Sequence, residues 1–201
     1  MKYGKIKITK LMITNHHQNH LSPQEYLEGE KISQIKHEYI DGEVYAMAGA
    51  SDAHVTITGN LYMLLRNHHR GSGCRVYMAD MKAQVEELNR YFYPDVMVTC
   101  DTRDQASDYF KSHPCLIIEV LSDTTEGFDR GKKFQDYTYL PSLQEYVLVS
   151  QDRMNVECFR RNEKGRWELY RFGVGEIVEF SSVDFRCDIA AIYEDLTSSP
   201  A

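Results

Sequence analysis

Glu119 lies in the middle of Leu116-Ile117-Ile118-Glu119-Val120-Leu121-Ser122, and Asp95 opens a second apolar run at Tyr93-Pro94-Asp95-Val96-Met97-Val98. Both segments read as buried strands, rich in β-branched and large apolar side chains. A carboxylate in such a setting needs a cation, a metal ion or a proton, because an unpaired buried charge is strongly disfavoured. Successive strand residues point to opposite faces, so Asp95 shares a face with Met97, and Glu119 with Ile117 and Leu121. If the two strands pair, both acids converge at one end of a sheet. That arrangement suits Mg²⁺, or Mn²⁺ in its place, since such ions take one or two carboxylates together with waters and substrate phosphate. An ion held in this way activates water and stabilises charge developing on phosphorus, which is phosphodiester chemistry.

A basic helix follows in Asp129-Arg130-Gly131-Lys132-Lys133-Phe134-Gln135-Asp136-Tyr137. Arg130, Lys133 and Tyr137 recur at helical spacing and so share one face. A helix entered straight from the Glu119 strand aims Lys133 back at the acids, where an ammonium orients the attacking water or neutralises the transition state. Lys82 is the alternative lysine; it shares a predicted strand face with Asp80 and is otherwise a plain ion pair. Arg130 either touches phosphate or pairs with Glu126 or Asp129. Glu38 adds to the metal site, positions a metal-bound water, or pairs across its hairpin. His54 contacts phosphate or water, or is structural. Tyr137 packs or hydrogen-bonds near Glu119. No serine or cysteine backed by a histidine is evident.

Several elements must position these groups. Ser22-Pro23-Gln24-Glu25 starts a short helix, with serine as cap, proline in the first turn and glutamate completing a capping box. Asp41-Gly42 between two apolar-patterned runs is a hairpin turn. From Asp52 to about Arg70, Ile57, Leu61, Leu64 and Leu65 recur at helical spacing. Strands are expected from Arg75 to Glu86, Tyr91 to Thr99, Pro114 to Leu121 and Glu145 to Ser150. A late hairpin turns at Asn162-Glu163-Lys164-Gly165, its aromatic residues Trp167, Tyr170 and Phe172 serving as packing, and the segments 177–180 and 185–192 finish the sheet. The order implies an α/β fold: a mixed central β-sheet flanked by helices, with additional C-terminal β-strands.

The length of 201 residues suits one domain with a real core. The expected organisation is a flexible arm over 1–20, which carries His16, His17 and His20, a single domain over 21–195, and a tail over 196–201. No apolar run approaches the roughly 20 residues that span a bilayer, and the basic start is not followed by an apolar segment, so neither a membrane partner nor a signal peptide is expected. The five cysteines are scattered and form no CxxC pair, which favours reduced thiols and a cytoplasmic location. Net charge is -7, and outside the first twenty residues 19 basic side chains face 30 acidic ones. That balance counts against broad electrostatic attraction to a nucleic-acid backbone and leaves room only for a local basic cleft.

Tyr93-Pro94-Asp95-Val96, Ile118-Glu119-Val120-Leu121-Ser122, Asp129-Arg130-Gly131-Lys132-Lys133 with Tyr137, and Glu38-Tyr39-Ile40-Asp41-Gly42-Glu43 with His54 together resemble the restriction-endonuclease family greatly expanded in cyanobacteria, part of the PD-(D/E)XK nuclease superfamily. The resemblance covers residues from about 22 to about 195 and rests on four motifs in the right order. It implies a restriction-endonuclease-like fold and a Mg²⁺-dependent endonuclease acting on DNA, and a homodimer. Asp95 and Glu119 would be the metal ligands, Lys133 and Glu38 would join them in catalysis, and Arg130 and His54 would bind substrate. One departure stands out: the superfamily lysine two positions after the glutamate is Leu121 here, and Lys133 matches the displaced lysine of the resembling family. The alternative implication is a catalytically inactive nuclease fold that serves as a DNA-binding or protein-interaction module.

Overall fold

A computed structural model describes residues 20–196. Of the expected arm only His20 falls within that range, and of the tail only Leu196; His16 and His17 lie outside the described residues.

The chain starts with α1 (Pro23–Glu30), whose Ser22 and Glu25 form the reciprocal capping box. The hairpin β1 (His37–Ile40) and β2 (Glu43–Ala46) turns at Asp41-Gly42, both at positive φ, as a two-residue turn requires. Next comes α2 (Asp52–His68), capped by Ser51. Its apolar stripe of Ile57, Leu61 and Leu65 is fully buried. The expected strand over 75–86 is two strands, β3 (Arg75–Met78) and β4 (Lys82–Val85). The expected strand over 91–99 is likewise divided, into β5 (Arg90–Phe92) and β6 (Val96–Thr99).

The reason for both breaks is local. Pro94 has no N–H for a ladder, and Ala79 adopts a positive φ of 51° while its N–H donates to the Asp95 carbonyl at 3.2 Å. At these paired breaks both strands leave one sheet and enter another. The short β7 (Phe110–Lys111) joins the smaller sheet, whose order is β2-β1-β5-β4-β7.

The larger sheet adds β8 (Leu116–Leu121), β9 (Glu145–Ser150), β10 (Val156–Arg161) and β11 (Trp167–Phe172), in the order β11-β10-β9-β8-β6-β3. Within it β8 and β9 are parallel, while the other neighbours are antiparallel. Every residue of β8 and β9 is buried, as expected of central strands covered on both faces. On one face α2 packs Ile57, Leu61 and Leu65 against Val96, Val98, Leu116, Ile118 and Val120. On the other, Met97, Ile117 and Leu121 meet Phe92 and Ala83 of the smaller sheet, together with Tyr137 and Tyr146.

Between β8 and β9 the helical segment 126–137 comprises α3 (Glu126–Phe128), a π-helical turn (Asp129–Lys133) and α4 (Phe134–Tyr137). The C-terminal strands β12 (Ile177–Phe180) and β13 (Phe185–Asp188) form their own two-stranded hairpin instead of extending the main sheet, and α5 (Ile189–Ile192) follows. The hairpin is fixed by Glu145, fully buried, whose carboxylate accepts from the backbone N–H groups of Ser181 and Ser182 and from Arg160.

The cysteines require a correction. Cys74 and Cys100 are joined in a disulfide, whereas scattered spacing suggested only free thiols. The antiparallel register sets Arg75 opposite Thr99, so the residues just beyond this pair face each other. Cys115, Cys158 and Cys187 remain free thiols.

Candidate active site

The break at Pro94 places Asp95 at the entrance to β6, beside the middle of β8. Each of its carboxylate oxygens meets one donor or ring nitrogen: Oδ2 accepts from the Val120 N–H at 2.7 Å, and Oδ1 lies 2.9 Å from His54 Nε2. Glu119 answers from the neighbouring strand, its Oε2 accepting from the Asp95 N–H at 3.3 Å. Glu119 thus braces the backbone N–H of Asp95, and Asp95 that of Val120. Register explains this, because Val96 pairs with Ile118 and Asp95 and Glu119 are the next residues outward on the same side.

Lys133 reaches the pair from the π-helical turn. Its Nζ is 3.0 Å from Glu119 Oε1, 3.0 Å from Glu38 Oε1 and 3.5 Å from Asp129 Oδ1. Tyr137, one turn further on, donates to Glu119 Oε1 at 3.4 Å. Glu38 comes from β1, and its Oε1 also accepts from the Tyr93 N–H at 3.4 Å. The site therefore lies at the seam of the two sheets, closed by the helical segment on one side and by the start of α2 on the other.

Glu119, Lys133 and Asp129 form a buried floor, at 3%, 5% and 4% exposure. Asp95, His54 and Glu38 are half-buried and form the accessible wall. Burial pushes the Glu119 carboxyl well above the usual glutamate range; the Lys133 ammonium opposes this, while the neighbouring charges of Asp129 and Asp95 add to it. Burial likewise raises Asp129. For Lys133, burial disfavours the charged form, but Glu119 and Glu38 outweigh it and hold the ammonium well above its ordinary value. His54 is drawn down by burial and raised by more through its hydrogen bond to Asp95 and that residue's charge.

Glu38, Glu119 and Asp129 lie within 3.5 Å of one lysine, and Asp95 pairs with His54 beside them, so the cluster holds more carboxyl groups than ammonium partners. Among the described residues, Lys133 supplies the buried ammonium there. Among the described residues no group of three or more His, Cys, Asp or Glu side chains is already gathered around one point. The oxygen donors on offer are two carboxylates, that of Asp95, which keeps an accessible side, and that of Glu119, which is buried beneath it. This fits Mg²⁺ or Mn²⁺, hard cations that keep several waters.

The residues singled out in the sequence divide clearly. Asp95, Glu119, Lys133 and Glu38 come together, and His54 joins them through Asp95. Arg130 does not: its guanidinium is committed to Glu126 at 2.7 Å and to Glu157, which is the ion-pair alternative, with Glu157 an unforeseen partner. Lys82 does not pair with Asp80, which instead pairs with Lys36. The Lys82 ammonium stands 5.0 Å above the Tyr93 ring, and burial lowers its pKa. Leu121, in the superfamily lysine's place, is buried against the core that holds Tyr137. Sequence reasoning gave Asp129 no place beside Lys133 and weighed it only as a partner of Arg130, although it opens the quoted motif and stands four residues before Lys133.

The chain matches the Uma2 family, described as "Putative restriction endonuclease", over residues 23–189. It belongs to that family. The span runs from α1 to α5 and contains every residue of the site. Among its relatives, the uncharacterised protein slr1290 of Synechocystis sp. (strain ATCC 27184 / PCC 6803 / Kazusa) is 40% identical over 88% of this chain and 93% of its own. A second protein of that organism, sll1609, is 37% identical over 80% of this chain and 93% of its own. A crystal structure of a "putative nuclease belonging to DUF820" from Anabaena variabilis ATCC 29413 superposes with a TM-score of 0.70 at 17% identity, covering 86% of this chain and 97% of that one. At that identity the likeness establishes the fold, a nuclease-like mixed α/β architecture. No helix among the described residues is long and apolar enough to cross a membrane.

Proposed function

We propose that this Uma2 protein is a Mg²⁺-dependent endonuclease, with Mn²⁺ able to substitute, that hydrolyses phosphodiester bonds of DNA. The observation that carries the reading is the convergence of Asp95, Glu119 and Lys133 from three separate elements, with Lys133 Nζ 3.0 Å from Glu119. Asp95 and Glu119 would hold the ion, which supplies an activated water and charge stabilisation at phosphorus. Asp95 is oriented for this by His54 and the Val120 N–H, so its carboxylate is fixed before substrate arrives. Lys133 presents a permanent positive charge beside Glu119, placed to stabilise the transition state. Glu38 shares that ammonium and keeps an accessible side from which to position a water. Many nuclease folds of this kind work as dimers, so a homodimer belongs to this reading, as does a cytoplasmic setting.

Calorimetric titration with Mg²⁺ and Mn²⁺, beside a plasmid-cleavage assay, tests the proposal. Wild type is expected to bind metal and to cleave, and Asp95→Ala and Glu119→Ala to lose both. Variants that keep metal binding and cleavage would remove the assignment. Leu121 in the place of the superfamily lysine, together with the acidic surface, favours a second reading: a non-catalytic nuclease fold that binds DNA or protein. Wild type that binds no metal would support it.

A further inference from the structure

Asp129 is a buried acid that no motif reading placed in the site. Its exposure is 4%, and the Lys133 ammonium lies 3.5 Å from its carboxylate. Burying an acid is unfavourable unless it is paired; here the Lys133 ammonium and a hydrogen bond from the Thr125 side chain offset that cost, and the backbone around it is fastened on two sides. Its N–H donates to the Thr125 carbonyl at 2.9 Å, and its carbonyl accepts from the buried Tyr146 hydroxyl at 2.9 Å. It also opens the π-helical turn that ends at Lys133. Such turns insert one extra residue into a helix and recur at functional sites, because the insertion re-aims the side chains that follow.

An ammonium has three N–H donors. Lys133 has three carboxylates around it: Glu119 and Glu38, both at 3.0 Å, and Asp129 at 3.5 Å. Two acceptors would leave Nζ free to swing toward whichever carboxylate attracts it more. A third, on the lysine's own helix, fixes its direction. Resting on the nuclease reading of this site, we propose that Asp129 is a positioning residue that holds the Lys133 ammonium midway between Glu119 and Glu38. Asp129 contacts neither candidate metal ligand directly in this arrangement; it acts through the lysine.

The test is a double-mutant cycle of Asp129→Asn and Lys133→Met, read by plasmid-cleavage kinetics with Mn²⁺ and, without metal, by NMR of the lysine NH₃⁺ groups in ¹⁵N-lysine protein. Asp129→Asn is expected to lower kcat by on the order of 100-fold with KM nearly unchanged, the cost of a misaligned catalytic group. In the Lys133→Met background the same change is expected to have almost no further effect. The Lys133 NH₃⁺ resonance, assigned by its loss in Lys133→Met, is expected to shift or broaden in Asp129→Asn. An Asp129→Asn defect that is equally large without Lys133, or a resonance left unmoved, overturns the proposal. If wild type fails to cleave, the nuclease reading fails by itself, and the metal-free NMR comparison still decides whether Asp129 positions Lys133. Should Asp129→Asn not fold, Asp129→Ser, smaller and also neutral, takes its place.

Discussion

Replacing Lys133 by Met removes a buried ammonium from a nest of acids while keeping nearly the same side-chain volume. At an effective dielectric of about 20, each of the two 3.0 Å contacts is worth roughly 5 kcal/mol before solvation is counted. Desolvating the ammonium takes back several kcal/mol. Deleting one partner of such a buried group costs about 3–5 kcal/mol, because the acids are left uncompensated. That is a large part of a typical domain's stability of about 5–15 kcal/mol. The loss is also expected to depend on pH. Burial already raises the Glu119 carboxyl, so the folded chain retains a proton that the unfolded chain releases. Stability from such a group is fully present below the unfolded-state value and is lost as pH rises toward the folded-state value. Without Lys133 that folded-state value climbs further, and Glu38 and Asp129 lose their partner too. The deficit of Lys133→Met should therefore be greatest at neutral and alkaline pH and shrink as pH falls toward the ordinary carboxyl range, about pH 4–5. Urea unfolding of both proteins at about pH 5 and about pH 8 measures it. A deficit under about 1 kcal/mol, or one equal at both pH values, would refute the reasoning, because the ammonium would then not be compensating buried charge.

Two further outcomes follow from the geometry. His54→Ala should weaken Mn²⁺ binding by about tenfold, the lower end of what an outer-shell partner contributes, while His54→Gln, whose amide nitrogen can occupy the place of Nε2, should recover most of it; calorimetry that finds both variants equally impaired would sink the bracing role of the Asp95 contact. Opening the Cys74–Cys100 bridge, with its 26-residue separation, should cost about 3 kcal/mol of stability; thermal unfolding of the Cys74→Ser/Cys100→Ser variant, beside wild type with and without reductant, checks this, and a change under about 1 kcal/mol would contradict it.

Much of the side-chain cluster around Glu119 is legible in the sequence. The strands around Asp95 and Glu119 announce themselves because buried central strands are written as continuous apolar runs, and an acid inside such a run has few innocent explanations. The capping box at Ser22, the Asp41-Gly42 turn and the stripe of α2 were equally plain, since each depends on residues only a few positions apart. The helix after β8 was legible as a face carrying Lys133, and Lys133 is the lysine that touches Glu119.

The rest depended on distant parts of the chain meeting. That the runs over 75–86 and 91–99 each divide between two sheets follows from the opposed breaks at Ala79 and Pro94, and a left-handed Ala79 leaves no mark in the sequence. The Cys74–Cys100 bridge follows from the register of β3 on β6. Arg130 looked as available for phosphate as for an ion pair until β10 brought Glu157 beside it. Lys82 and Asp80 shared a face only so long as their strand was continuous. Asp129 and Lys133 share a helix face by their four-residue spacing, but only the packing of that helix against the two sheets buries them together. Sequence by itself determined which residue types were set into which elements, because local propensity and burial act over a few residues. Only the tertiary structure decided which charges share a space, because a buried ion pair depends on distance and desolvation, and neither is written along the chain.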